Sequence, residues 1–223
     1  MPAFYFATTF LVKSLLTILT RWRVRGKDRV PRQGPLIVVA NHINAIDPPL
    51  LSASIPRRIV FMAKEELFDS WFESLIVRGF GAFPVSKRRA DREALKRANL
   101  VLSQGLALGM FPEGTRSFSR ARLQPALRGA ALLALRSRAP ILPVAISGTE
   151  RIRGLGWFFV RPRLMVQIGE PFMAPDSDGE STKDHQSTVT DLIMARIAEL
   201  LPPNYRGVYR NRSGARQASD SGG

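Results

Sequence analysis

The chain has 223 residues, enough for one domain or at most two, and its 45% apolar and 23% charged residues are typical of a globular protein, which excludes wholesale disorder. It contains no cysteine, so disulfide bonds, a thiolate nucleophile and any zinc site that needs sulfur are excluded. The 33 Lys and Arg residues against 18 Asp and Glu residues give a net charge of +15, which predicts a polyanionic partner: a membrane, a nucleic acid or a phosphorylated ligand.

The amino-terminal segment predicts an amphipathic helix followed by a basic cluster. Its polar side carries Thr9, Lys13 and Ser14, and its apolar face consists of Phe4, Leu11, Leu15, Ile18, Leu19 and Trp22. A cation near the middle of the helix and five more between residues 21 and 29 suit the headgroup boundary of an anionic membrane better than a bilayer crossing. We therefore predict that residues 1–29 form a monotopic membrane anchor, with a helix packed on the soluble core as the alternative.

From residue 30 onward, short apolar runs alternate with longer amphipathic stretches, which is the pattern of strands and helices in an α/β domain. Strands are predicted at 36–40, 59–63, 82–85, 106–111, 141–146 and 164–168, and helices at 48–54, 66–79, 90–104, 127–137 and 184–200. We expect one domain over residues 30–202, with a largely parallel or mixed sheet flanked by helices. Residues 203–223 lose the apolar periodicity and predict a disordered basic tail.

His42 and Asp47 form the first candidate site. His42 follows the predicted strand at 36–40, and ligands and reactive side chains gather beyond the carboxyl ends of strands in open α/β sheets. If the intervening loop turns, the Asp47 carboxylate can accept a hydrogen bond from one ring nitrogen and leave the other nitrogen as a base. The alternative is that Asp47 only caps a helix that begins at Pro48. A metal site would need more ligands than this pair offers.

Two further candidates follow predicted strands. The turn Phe111-Pro112-Glu113-Gly114-Thr115-Arg116-Ser117 combines a flexible glycine with a guanidinium suited to a phosphate dianion. Taken alone, such a sequence is more often an ordinary turn. Lys87 and Arg88 follow the strand at 82–85 and could bind a phosphate, although a solvated basic surface is the alternative.

These segments, in this order and spacing over roughly residues 30 to 170, resemble the glycerolipid acyltransferase family typified by lysophosphatidic acid acyltransferases. The N-H-x-x-x-x-D run from Asn41 to Asp47 and the F-P-E-G-T-R-S run from Phe111 to Ser117 carry the resemblance. It implies that His42 is a general base and Asp47 its partner. It also implies that Glu113, Gly114, Thr115 and Arg116 bind the phosphate of the acyl acceptor, with Lys87 or Arg88 in a second phosphate-binding position.

The resemblance implies transfer of a fatty acyl group from acyl-CoA or acyl carrier protein to lysophosphatidic acid, giving phosphatidic acid, at the cytoplasmic face of the cell membrane. No cofactor, metal or enzyme nucleophile is expected, because a thioester is already activated. A different acceptor, such as a lyso-ornithine lipid, another lysophospholipid or glycerol 3-phosphate, is the main alternative. A non-enzymatic binder of nucleic acid or membrane is a second one, but few aromatic residues interleave with the basic clusters, so no nucleic acid partner is expected.

Overall fold

The computed structural model describes residues 2–69, 71, 79–85, 90–117, 121–154, 156–176 and 182–210. Its strands are β1 (Arg21–Arg25), β2 (Leu36–Ala40), β3 (Ile59–Lys64), β4 (Phe83–Val85), β5 (Ala107–Met110), β6 (Ile141–Ser147) and β7 (Arg163–Ile168). The helices with described bounds are α1 (Pro2–Leu19), α2 (Asp47–Ser54), α3 (Ala90–Ser103), α4 (Gly129–Ser137), α5 (Trp157–Val160) and α6 (Lys183–Leu200). All six predicted strands are present, with ends within one residue of the prediction.

The strands form one sheet in the order β1-β7-β6-β2-β5-β3-β4, and neighbouring strands run parallel except β6 and β7. β2, β3, β5 and β6 therefore finish at one end, called the carboxyl end of the sheet below. Because β7 runs against β6 and β1 runs parallel to β7, the first residues of β1 and β7 also lie at this end. Loops that follow β2, β5 and β6 are thus brought side by side.

Helices cover both faces of the sheet. α3, α4 and α6 pack on one face around a core that includes Ile37 and Ile193, while α1 and α2 pack on the other around Leu16 and Val38. All five residues of β2 are buried, because alternate residues enter the two cores, and this explains why its sequence is apolar throughout. The predicted single α/β domain with a mixed sheet flanked by helices is confirmed.

The amino-terminal segment is divided between a helix and an edge strand. α1 contacts α2 and buries Tyr5 and Leu16, but most of its predicted apolar face, including Leu11 and Ile18, is exposed. The basic cluster predicted as part of the anchor is β1, which pairs with β7 and exposes alternate arginines, so the boundary at residue 29 is corrected: Arg21–Arg25 belongs to the sheet. None of the described helices has the length and apolarity needed to cross a bilayer.

The carboxyl-terminal segment differs from its prediction. Residues 203–210 form two 3-10 turns that pack on the domain, with Tyr209 buried and the carbonyl of Tyr205 accepting a hydrogen bond from the Leu123 N–H at 2.9 Å. The predicted disordered tail is therefore wrong for residues 203–210, because the buried side chain of Tyr209 and the backbone of Tyr205 attach this segment to the domain. Residues 211–223 lie outside the described residues, as does most of the predicted helix at 66–79. The start of that prediction is a 3-10 turn, Glu65–Phe68.

Candidate active site

Asn41 fixes the backbone where β2 ends. Its side chain is buried, and its amide Nδ2 donates to the carbonyl of Ile146 at 2.8 Å while its Oδ1 accepts the N–H of Ile146 at 2.7 Å. The side chain thus makes the two hydrogen bonds to β6 that the backbone of one more strand residue would make, and the chain leaves the sheet directly after Asn41. This holds the following residue, His42, at the carboxyl end of the sheet.

The loop after Asn41 turns back so that His42 and Asp47 meet. His42 Nδ1 lies 3.0 Å from Asp47 Oδ2, and the same oxygen accepts the N–H groups of Ile43 at 2.6 Å and Asn44 at 2.7 Å. Asp47 is fully buried, whereas the His42 side chain is 17% exposed. The carboxylate therefore orients the imidazole and holds the loop around it.

Asp47 is the first residue of α2, but its carboxylate does not cap that helix. The residue before the helix is Ile46, with no side-chain capping bond, and the carboxylate bonds to backbone groups that precede it in the chain. The capping alternative is thus not the geometry found. Asp47 Oδ1 is buried with no hydrogen-bond partner among the described residues, so one carboxylate oxygen carries the whole network.

The turn after β5 docks on the backbone of His42. The N–H of Ser117 donates to the His42 carbonyl at 2.8 Å, and the Ser117 hydroxyl donates to the same carbonyl at 3.2 Å. Glu113 acts from the other side, because its Oε1 accepts the His42 N–H at 2.8 Å. The two candidate segments, 71 residues apart at this contact, are therefore one site.

Glu113 is a buried carboxyl that joins three segments of chain. Besides the His42 N–H, it accepts the N–H of Gln124 at 2.8 Å through Oε2, and its exposed fraction is 4%. The pKa of Glu113 is raised to about 7, mainly because burial disfavours the charged carboxylate. The two backbone hydrogen bonds lower the pKa, and the negative charge of Asp47 raises it. Both oxygens are engaged by the protein's own amides, which gives Glu113 a positioning role in this geometry.

The remainder of the turn faces outward. Gly114, Thr115 and Arg116 are exposed, and the Arg116 side chain bonds to no described residue. Gly114 has a φ of +64°, and a Cβ there would lie 2.7 Å from Leu127 Cδ1, so the backbone of this turn favours glycine. Its N–H donates to the Phe111 carbonyl at 3.0 Å, which closes the turn.

Phe111 packs against the ring of His42. Its ring stacks on that of His42 with centroids 4.2 Å apart and an angle of 22° between the planes. The Nδ1–H of His42 is directed to Asp47, and one face of its ring is covered by Phe111. The other ring nitrogen, Nε2, bonds to no described group. The arrangement provides a basic nitrogen with a fixed tautomer, beside an exposed cation-bearing turn.

The sequence analysis did not assign a function to Asn41, Asn44, Phe111 or Ser117. Asn44 Nδ2 donates to the carbonyls of Thr149 at 2.9 Å and Ile152 at 3.1 Å, which attaches the histidine loop to the segment after β6. All four residues belong to the runs 41–47 and 111–117, and this position in the sequence was the only indication that they contribute to the site. Lys87 and Arg88, predicted as phosphate ligands, lie outside the described residues.

Comparisons with known proteins identify the family of the chain. The family model described as Acyltransferase matches residues 21–147, more than half of the chain. A 1-acyl-sn-glycerol-3-phosphate acyltransferase of Bacillus subtilis (strain 168) is 28% identical over 190 residues, covering 85% of this chain and 92% of that protein. A protein of the same name from Streptococcus pneumoniae (strain ATCC BAA-255 / R6) is 31% identical over 170 residues, covering 72% of this chain and 61% of its own length.

Among solved structures, the fold is similar to the crystal structure of the 1-acyl-sn-glycerophosphate (LPA) acyltransferase, PlsC, from Thermotoga maritima. The TM-score is 0.67 at 28% sequence identity, and the match covers 88% of this chain and 79% of that chain.

Proposed function

This chain belongs to the acyltransferase family, and on that premise we propose that it moves a fatty acyl group from acyl-CoA or acyl carrier protein to the free hydroxyl of lysophosphatidic acid, giving phosphatidic acid. The observation that carries the proposal is the 3.0 Å contact between His42 Nδ1 and Asp47 Oδ2, beside the turn that bears Arg116. It supplies a base for the hydroxyl and a cation for the phosphate of one acceptor.

His42 acts as the general base through Nε2. The Nδ1–H donates to Asp47, so the lone pair is on Nε2, and the buried carboxylate stabilises the imidazolium that forms when the acceptor's proton is taken. As the proton leaves, the hydroxyl oxygen forms a C–O bond to the thioester carbonyl carbon. The C–S bond then breaks, and the proton on Nε2 passes to the leaving thiolate, so that protons and electrons balance.

The anion formed on the thioester carbonyl needs hydrogen-bond donors. The Gly114 N–H is engaged with the Phe111 carbonyl, whereas the N–H groups of Thr115 and Arg116 donate to no described acceptor. We assign the oxyanion donors to these two amides. Arg116, whose side chain is exposed at the same turn, binds the acceptor's phosphate as a fork-shaped cation.

The acceptor is a lipid, and α1 offers a way to reach it. Leu11, Leu15 and Ile18 expose an apolar face, while Arg23 and Arg25 are exposed on the strand that follows. An apolar face beside cations suits insertion into the headgroup region of an anionic membrane, here the cytoplasmic face of the cell membrane. A membrane-bound lysophosphatidate would then enter from the lipid plane, which favours it over the water-soluble acceptor glycerol 3-phosphate.

The proposal is tested by acyl transfer from a labelled thioester on purified protein with lipid present. His42→Ala and Asp47→Asn should each lose about a thousandfold or more in kcat while keeping the wild-type circular dichroism spectrum. His185→Ala removes the other histidine, which lies at the start of α6 and bonds to the Pro175 carbonyl, and should keep wild-type turnover. Unchanged turnover in both site variants would remove His42 as the base.

The acceptor is settled by a panel that contains lysophosphatidic acid, a lyso-ornithine lipid, lysophosphatidylcholine and glycerol 3-phosphate. Lysophosphatidic acid should give the highest kcat/KM, and Arg116→Gln should lower that value through KM. Arg122→Gln, an exposed arginine beyond the turn, is the control for general loss of charge. Preference for the phosphate-free acceptor, or an Arg116→Gln enzyme with wild-type KM, would contradict the assignment.

A further inference from the structure

A second cationic site lies beside the active site. A cleft of about 580 Å³ at the carboxyl end of the sheet is lined by residues that include five arginines, Arg21, Arg151, Arg153, Arg161 and Arg163. Trp157 and Val160 also line the cleft, and none of the described residues that line it is acidic. We call it the arginine cleft. It is separate from the turn that bears Arg116.

The cleft places like charges side by side. Arg21 and Arg163 are directly opposite each other on the neighbouring strands β1 and β7, and both are exposed. Because paired residues of neighbouring strands lie on the same face of a sheet, their two side chains leave the same face. Like charges directly opposite each other on neighbouring strands destabilise a sheet. An anion bound between the two guanidinium groups would convert this repulsion into attraction.

Three of the arginines are held in place by the protein. Arg161 donates to the Thr17 carbonyl at 3.2 Å, and Arg153 donates to the Glu150 carbonyl at 3.0 Å. Arg151 Nε lies 3.8 Å from Glu150 Oε1, an oxygen that also accepts the Tyr205 hydroxyl at 2.7 Å. Guanidinium groups tethered in this way lose less freedom when a phosphate binds, so the cleft is partly organised for an anion.

The rim of the cleft is apolar. Phe159, at 83% exposed, and Val160 belong to α5, and the bond from Arg161 to Thr17 connects this rim to the end of α1, where Ile18 is exposed. Exposed aromatic and aliphatic side chains around a cluster of cations are the composition of a membrane-interface site. A soluble phosphate compound would gain nothing from such a rim, whereas a lipid would.

We propose that the arginine cleft binds the phosphodiester headgroup of an anionic membrane lipid and fixes the orientation of the protein on the bilayer. The carbonyls of Thr149 and Ile152, beside Arg151 and Arg153, accept hydrogen bonds from Asn44, which lies two residues after His42. A lipid in the cleft would thus hold the active-site end of the sheet against the membrane. This role goes beyond acyl transfer, because binding needs neither a donor nor turnover.

The test is partition of the full chain into two kinds of vesicle without acyl donor. One contains phosphatidylcholine with phosphatidylglycerol, and the other contains phosphatidylcholine with oleate at the same zeta potential, so the net negative charge is carried by a phosphodiester in the first and by a carboxylate in the second. Wild-type protein should prefer the phosphatidylglycerol vesicles by about tenfold. In Arg21→Gln/Arg163→Gln the preference should vanish, and Arg163→Gln alone should reduce it.

The matched control is Arg136→Gln/Arg138→Gln, which removes two exposed arginines, one in the last turn of α4 and one directly after it, at the opposite end of the sheet. It should keep the preference. The double variant of the cleft should unfold at the wild-type temperature or above, since it loses a repulsive pair. Equal partition of wild-type protein into both vesicles, or an unchanged preference in the cleft variants, would overturn the proposal. Release of the protein from phosphatidylglycerol vesicles by free coenzyme A would overturn the lipid assignment and make the acyl donor the ligand.

Discussion

Glu113 gives the sharpest prediction, because one buried carboxyl sets both a pH dependence and a local structure. Moving its pKa from 4.5 to about 7 means that the folded protein binds this proton more tightly than the unfolded chain. The stabilisation is complete below about pH 4.5 and is lost as the pH rises through about 7, and it amounts to about 3 kcal/mol of the free energy of unfolding.

The perturbation is Glu113→Gln, which has the same shape and no titration. The NH2 group of the glutamine side chain is a donor, and it must face one of the two backbone N–H donors, that of His42 or that of Gln124. We therefore expect the free energy of unfolding to fall by about 1–3 kcal/mol, because a buried N–H group loses its acceptor. The wild type should therefore be more stable than the variant at about pH 4, and its advantage should shrink by about 3 kcal/mol by about pH 8.

Urea unfolding followed by tryptophan fluorescence, at several pH values between these limits, measures the difference directly. Glu93→Gln serves as the control for removal of a carboxylate, because Glu93 is exposed on α3 and pairs with Arg97. A stability difference between wild type and Glu113→Gln that does not change with pH would refute the reasoning from burial.

Four shorter predictions follow from other contacts. Asn41→Ala should lower the free energy of unfolding by about 2–4 kcal/mol in urea titrations, because two buried backbone groups of β6 lose their partners. Gly114→Ala should raise the KM for the acceptor with a stability loss of about 1 kcal/mol, since φ there is +64°. Tyr205→Phe should cost about 1–2 kcal/mol of stability, and absorbance titration of the wild type should show one phenol with a pKa near 12, raised by burial and by Glu150. Leu11→Ser should weaken partition into anionic vesicles about tenfold while Leu100→Ser does not, although both side chains are 58% exposed.

Much of the fold could be read from the sequence because burial leaves a local pattern. Residues 36–40 are apolar throughout, because β2 is covered on both of its faces. In residues 184–200 apolar residues recur at helical spacing, because only one face of α6 is covered. β1 was missed although its sequence, Arg-Trp-Arg-Val-Arg, has the period of a strand, because alternate arginines also describe a basic cluster. What distinguishes the two is the pairing with β7, more than 130 residues away.

The candidate site divides in the same way. His42, Asp47 and Arg116 could be selected from the chain because a base, a carboxylate and a forked cation after apolar runs have few other uses together. The capping and catalytic interpretations of Asp47 could not be separated, because both need the same residue before the same helix. The tertiary structure shows that residues 43–46 turn so that the carboxylate bonds backward to the loop and to the imidazole and does not cap α2.

Residue types and their local spacing thus determined the fold class, most strands and the reactive groups. The strand order, the engagement of Glu113 with the His42 backbone, the burial of Tyr209 and the gathering of five arginines into one cleft were decided only by the tertiary structure. The reason is that these features depend on which distant segments pack together. The contact between Glu113 and His42 forms only when β2 and β5 have paired, because it joins residues that are 71 positions apart. No periodicity along the chain predicts such a contact.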